Sequence, residues 1–405
     1  MSSGLSAVRL GRLHRAMASY VEAGEVPGVL TLVSRRGETH FDAIGTTQMG
    51  GREPLRREAI FRIASMTKPI TAAATMILVE ECRIRLDEPV DRWLPELAGR
   101  RVLERIDGRL DQTVPAHRPL TVRDLLTFRL GFGMLTDLRG GGAAADWPIS
   151  RAVADAGIQV LNPKQPITPD EWMRRFGALP LMHQPGERWM YHTGSDVLGV
   201  LIARASGRPF DVFLQERIFE PLGMKDTAFS VPPDKLGRLT ACYRVNPQTP
   251  GCELHDDPKD SAWALPPAFP AGGGGLVSTI DDYHAFGQMM LNGGRLGKER
   301  ILSRHAVEVM TTDQLTSQQK SLPGLFPGFF DNVGWGFGVS VCTKRDRVDT
   351  VQGQFGWGGA FGTSWRSDPT EQLVALLMIQ CLRLMPAPAG IQADFWTSIY
   401  QAIDD

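Results

Sequence analysis

No run of eighteen apolar residues occurs anywhere in these 405 residues, so no membrane-spanning helix is expected. Neither sign of charge is in excess. Lys and Arg number 44 against 45 Asp and Glu, a formal net charge of −1. Nucleic-acid and anionic-membrane partners both favour a basic patch or tail, and neither partner is expected here. Cysteine is scarce: five residues, scattered from Cys82 to Cys381, with no C-x-x-C pair. A Cys242–Cys252 bridge is conceivable, but free thiols are favoured because no export signal is visible. The opening stretch, MSSGLSAVRLGRLHRAMASYVEAG, breaks Leu5, Val8, Leu10 and Leu13 with Arg9, Arg12 and Arg15. That pattern predicts an amphipathic surface helix ending at Gly24, without the unbroken apolar core of a signal peptide. The expectation is a soluble, cytoplasmic protein.

What is present is globular material, 42% hydrophobic and 22% charged, long enough to bury a large core. GVLTLVSRRGETHFDAIG predicts a hairpin, Val29–Ser34 returning as Thr39–Ile44 through Arg36-Gly37. GTSWRSDPTEQLVALLMIQ predicts a second hairpin around Asp368-Pro369, with Leu373–Ile379 apolar enough for a strand buried on both faces. Ala389–Ile399 has a helical pattern. From Pro69 to about Leu222 the pattern is helical, with Thr121 and Thr168 as N-caps and Asp124 and Glu171 three residues on. Gly- and Pro-rich stretches, Leu138–Pro148 and Leu265–Gly275 among them, read as loops. The predicted fold is an α/β (α+β) body built on an antiparallel sheet, residues 1–68 and 260–405. A mostly helical region, 69–259, is inserted into it, and the active site is expected in the groove between the two.

Three stretches carry chemistry. In RIASMTKPITAAATM, Ser65 falls in the first turn of a helix, where free N–H groups and the positive dipole end stabilise an oxyanion. Lys68 lies three residues on, on the same face, and an apolar surround lowers its basicity until it accepts a proton near neutral pH. A helix cap followed by a solvated lysine would read the same way. In PGERWMYHTGSDVLG a lone Tyr191 precedes a helix, and a phenol beside a lysine relays a proton; a core tyrosine is the alternative. In QGQFGWGGAFGTSW the glycines are poor strand residues unless something approaches the backbone closely. Such an edge offers an N–H opposite that of Ser65. Packing alone would also account for it.

In this order, the S-x-x-K of Ser65 and Lys68, the Tyr191 loop and Trp357-Gly358-Gly359 resemble the serine β-lactamase and penicillin-binding protein superfamily. The nearer likeness is to its class C branch and the related family VIII carboxylesterases. Further segments such as LTVRDLLTFRLGFG and PAGGGGLVSTIDDYHAFGQMM extend the resemblance from about residue 8 to 400. It implies Ser65 as acylated nucleophile, Lys68 and Tyr191 as its base and proton shuttle, and an oxyanion hole from the N–H groups of Ser65 and Ala360. It assigns Trp357, Gly358, Gly359, Phe132 and Met134 to substrate binding. It implies no metal and no organic cofactor, and no H-E-x-x-H contradicts that.

Departures from the family pattern bear on substrate. Trp357 stands where β-lactamases and D-alanyl peptidases have the Lys that anchors a substrate carboxylate. His192-Thr193 stands where Ser-Asn is common, and His192 reads as a loop residue, with a second base as the alternative. Met134 follows the GFG turn where an aromatic residue is frequent, implying a roomier acyl pocket. These changes favour uncharged esters. The expected function is a serine carboxylesterase acting on short- to medium-chain carboxylic esters through an acyl-serine. Acyl transfer from the same intermediate, a weak β-lactamase or D-amino-acid peptidase, and a silent binding protein are the alternatives. LPGLFPGFFDNVGWGFGV, with Phe326, Phe329, Phe330 and Trp335, reads equally as a cleft wall or a tucked-in loop. No G-x-S-x-G elbow is present, so an α/β-hydrolase is not indicated.

Overall fold

The computed structural model describes residues 3–135, 147–158, 166–245, 252–382 and 390–405. Five of the helices position the sheet and the site: α1 (Ala7–Glu22), α2 (Thr67–Glu80), α3 (Thr193–Ser206), α4 (Ile280–Leu291) and α5 (Gly390–Ala402). Strands β1 (Gly28–Arg35) and β2 (Glu38–Gly45) meet at Arg36-Gly37, with φ of 51° and 86°. Positive φ at both residues is the backbone that matches a two-residue turn to the twist of its strands. Five more strands come from the far end of the chain: β3 (Val333–Trp335), β4 (Ser340–Cys342), β5 (Phe355–Gly358), β6 (Ser364–Asp368) and β7 (Leu373–Met378). All seven form one antiparallel sheet in the order β3-β4-β5-β6-β7-β1-β2. The two halves of the chain join where β7 pairs with β1, from Leu30 opposite Met378 to Arg35 opposite Leu373.

Alternate residues of the central strands face opposite layers. Val29, Val33, Ala375 and Leu377 pack with Leu13 and Met17 of α1 and Phe395 and Trp396 of α5. Leu30, Leu32, Val374 and Leu376 pack with Tyr283, Phe286 and Met290 of α4. Every residue of β7 is buried, as its unbroken apolar run predicts. Each side chain so enclosed contributes about 1.5–3 kcal/mol.

The intervening chain carries α2 and α3, packed on each other, and shorter helices begun by the predicted caps. Thr121 Oγ1 accepts the Asp124 N–H and completes a capping box, and Thr168 Oγ1 accepts the Glu171 N–H. Two features differ from the helical expectation. Arg101–Leu103 pairs with Thr113–Pro115, strands too short to leave a period in the sequence. Cys242–Val245 pairs with Cys252–Asp256 and, in parallel, with Cys381–Leu382, so β-structure resumes before residue 259. In that hairpin Cys252 faces Val245 while Cys242 faces Asp256, and all five cysteines are free thiols. Of the Gly-rich stretch Leu138–Pro148, all but the last two residues lie outside the described residues. No described helix is long and apolar enough to cross a membrane.

Candidate active site

Ile63 donates its N–H to Leu276, and the chain then makes one 3-10 turn, Ala64–Met66, that runs directly into α2. Pro69 sits in the first turn of α2, where a missing N–H costs no hydrogen bond. From Thr67 to Leu78 every residue of α2 is buried, Lys68 completely. Removal from water disfavours the ammonium, and burial draws Lys68 down to about 7 against the opposing pull of Asp196. Its Nζ lies 3.0 Å from Ser65 Oγ, 3.0 Å from His192 Nδ1 and 2.5 Å from the Gly273 carbonyl.

The orientation of these bonds follows from Asp196. One carboxylate oxygen, Oδ1, accepts the Gly273 N–H at 2.8 Å, and the other, Oδ2, faces His192 Nε2 at 3.1 Å. A carboxylate only accepts, so Nε2 carries the imidazole proton and Nδ1 presents a lone pair. A neutral Lys68 then directs its two N–H groups to Gly273 and His192. The amine lone pair is left for the Ser65 hydroxyl. Burial, reinforced by Lys68, holds His192 below the usual imidazole range. Its backbone, at φ 89° and ψ −65°, occupies the strained γ-turn region that non-glycine residues seldom adopt.

Tyr191 is buried beside this pair, with Lys68 Nζ 4.5 Å from its ring centroid. Its hydroxyl lies near Ser65 and accepts the Trp357 Nε1–H at 2.8 Å. Burial pushes the phenol well above its usual range, so Tyr191 keeps its proton, and of the two residues expected to act as base Lys68 alone holds an available lone pair.

Trp357 stands on β5, which packs against the Ser65 turn. Gly359 presses on that turn: a Cβ there would lie 2.4 Å from the Ile63 carbonyl. Gly359 donates to Thr363 at 2.7 Å and accepts from Gly362 at 2.9 Å, which places Ala360 in a tight turn. Among the described residues neither the Ser65 N–H nor the Ala360 N–H meets an acceptor. A Cβ on Gly358 would meet the Thr363 carbonyl at 3.4 Å, an ordinary van der Waals contact.

Met134 lines a cavity of about 430 Å3 together with Tyr191, Trp189, Leu135, Trp147 and Leu325. Its N–H is bonded to the Tyr191 carbonyl at 2.8 Å. Phe132 does not reach this space, contrary to the expectation for it. It is buried in the main core, edge-on to Phe176 with centroids 5.0 Å apart. Gly133, whose Cβ would meet the Met190 and Tyr191 carbonyls at 2.7 Å, forces the turn that separates the two side chains. The aromatic loop takes both of its expected places. Phe329, Phe330 and Trp335 are buried behind Trp189 and Tyr191, while Pro323, Gly324 and Leu325 face the cavity.

Residues 13–393 match the family model described as Beta-lactamase. The chain belongs to the beta-lactamase family. Protein Rv1367c of Mycobacterium tuberculosis is 38% identical over 365 residues, 89% of this chain and 87% of that protein. Esterase EstB of Burkholderia gladioli is 30% identical over 371 residues, 87% and 85% of the two chains. Among solved structures, EstCE1, described as a hydrolase with promiscuous acyltransferase activity, superposes with a TM-score of 0.77 at 23% identity, covering 98% of each chain. That likeness carries the beta-lactamase fold, with its antiparallel sheet and flanking helices.

Within this family architecture the residues that sequence reasoning undervalued are His192 and Asp196. His192 is not an idle loop residue in the structure, and Asp196 was not singled out at all. Their spacing of four across a helix start was the available signal, since it sets an imidazole over a carboxylate. The Gly273 carbonyl, 205 residues from Lys68, left no signal. Among the described residues no group of three His, Cys, Asp or Glu is placed to hold a metal ion.

Proposed function

We propose that this protein is a serine carboxylesterase that hydrolyses short- to medium-chain carboxylic esters through an acyl-Ser65 intermediate. One observation carries the reading: the fully buried Lys68 Nζ lies 3.0 Å from Ser65 Oγ, with the Gly273 carbonyl and His192 Nδ1 placed to take the two N–H groups of the neutral amine. Ser65 Oγ gives its proton to Lys68 Nζ and bonds to the ester carbonyl carbon. The carbonyl oxygen, now anionic, is received by the N–H groups of Ser65 and Ala360. As the tetrahedral species collapses, the departing alkoxide takes the Tyr191 proton, and Lys68 returns to the phenolate the proton it took from Ser65. Water then attacks the acyl carbon with Lys68 as base, releasing the acid and restoring Ser65. The uncharged Trp357, at the place of a carboxylate-anchoring lysine, and the likeness to Esterase EstB support esters over β-lactams. Free thiols and a net charge of −1 support an intracellular setting and a small-molecule partner.

A p-nitrophenyl butyrate burst, with a covalent adduct on Ser65 seen by mass spectrometry, is the expected result. Ser65→Ala is expected to lower the rate roughly a thousand-fold or more; a Ser65→Ala variant that retains hydrolysis overturns the reading. Acyl transfer is the second reading, favoured by the aromatic enclosure of Tyr191, which limits water at the acyl carbon. Partitioning of the acyl group between water and added alcohols separates the two.

A further inference from the structure

The cavity lined by Tyr191, Met134, Trp189 and Leu325 also has Arg105, Asp107, His183 and Arg188 in its wall. Those polar groups are not equivalent. Arg105 is engaged twice by its neighbour Asp107, at 3.1 and 3.0 Å. Arg188 is half-buried and forms no ion pair or hydrogen bond among the described residues. The adjacent Glu187 attracts it only at a distance, its own carboxylate accepting the Gln184 N–H at 3.0 Å. His183, which shares this wall, is held below the usual imidazole range by burial and by the charge of Arg188, and it adds no second cation there. Its Nε2 is itself buried without a partner among the described residues.

A guanidinium drawn partly out of water without a carboxylate is costly to hold and presents a planar fork of donors. Its chemical complement is a carboxylate, which it binds in bidentate fashion. We propose that Arg188 is a substrate-recognition residue for esters that carry a carboxylate several carbons from the ester carbonyl. The connecting chain would lie along Met134, Trp189 and Leu325, and the carboxylate against Arg188. The proposal rests on the esterase reading and extends it to a substrate class. Trp357 removes a cation beside the reacting ester, and Arg188 places one in the wall of the adjoining cavity instead. The family's position for anchoring a carboxylate is thereby not the one used.

The experiment compares matched esters on the whole enzyme. In one arm, mono-p-nitrophenyl adipate is set against p-nitrophenyl hexanoate; in the other, the acetate ester of 6-hydroxyhexanoate against hexyl acetate. The two arms distinguish a carboxylate on the acyl side from one on the alcohol side. The expected result is a kcat/KM ratio favouring the carboxylate by about ten-fold in one arm, carried mainly by KM. That ratio should collapse to about one in Arg188→Gln and survive in part in Arg188→Lys, which keeps charge but loses the fork. Because a ratio is read, a partly folded variant does not distort it. Wild-type ratios near one in both arms, or a ratio unchanged in Arg188→Gln, overturn the proposal while leaving the esterase intact. Wild type that turns over none of the four esters overturns the esterase reading itself, and this proposal with it.

Discussion

Trp357 Nε1 donates to Tyr191 Oη at 2.8 Å, across 166 residues of chain. That bond leaves the phenol proton free to point at Ser65. Trp335 holds the indole in place, edge-on with centroids 4.7 Å apart. Trp357→Phe keeps the packing and removes the donor. The expected cost is about 1 kcal/mol in kcat/KM, roughly five-fold, with thermal stability close to wild type. Steady-state kinetics beside a melting curve checks it; a large fall in melting temperature would mean that the indole serves packing alone.

The pH dependence follows from Lys68. Its neutral form is the base, so kcat/KM is expected to rise with pH through about 7 and to level above it. The negative charge of Asp196 opposes the effect of burial and raises Lys68. Removing that charge in Asp196→Asn therefore lowers the amine further. The acid limb should move to lower pH, even though the plateau falls as His192 loses its orienting acceptor. An acid limb that stays in place or moves upward would exclude Lys68 as the titrating base.

His192 acts through Lys68 and is a positioning residue. In His192→Ala one amine N–H loses its acceptor and the lone pair is no longer confined to Ser65. A ten- to hundred-fold loss in kcat is expected, with KM little changed. His192→Asn offers a carbonyl oxygen and tolerates positive φ better than most residues, so it should recover part of the loss. Equal rates in the Ala and Asn variants would reduce His192 to a packing role.

Much of the fold was legible because its signals are local. Arg36-Gly37 announces the β1–β2 turn, the run Leu373–Ile379 announces a strand buried on both faces, and Thr121 and Thr168 announce helix starts. Ser65 and Lys68 were legible for the same reason, since three residues on a helix fix their distance. Tyr191 and Trp357 were legible as residues but not as partners, because β5 and the Tyr191 loop meet only in the folded chain. His192 was least legible: its reach to Lys68, 124 residues away, depends on a strained backbone that no propensity favours. Arg188 reads as one arginine among many until it is seen to form no ion pair among the described residues.

Phe132 and Met134 stand two residues apart and part company at Gly133. Phe132 lies among core side chains against Phe176, and Met134 faces the cavity. Phe132→Ala should therefore cost about 3–5 kcal/mol of stability while leaving the acyl chain-length profile of the surviving enzyme in its original shape. Met134→Ala should do the reverse. Its side chain is only partly buried, so the melting temperature should change little. The optimum across p-nitrophenyl acetate, butyrate, hexanoate and octanoate should shift toward longer chains, as the space beside Tyr191 grows. Each methylene in such a pocket is worth about 1–3 kcal/mol of discrimination, enough to move the optimum by one member of the series. If Phe132→Ala shifts the optimum and Met134→Ala does not, the acyl chain runs on the other side of the Gly133 turn.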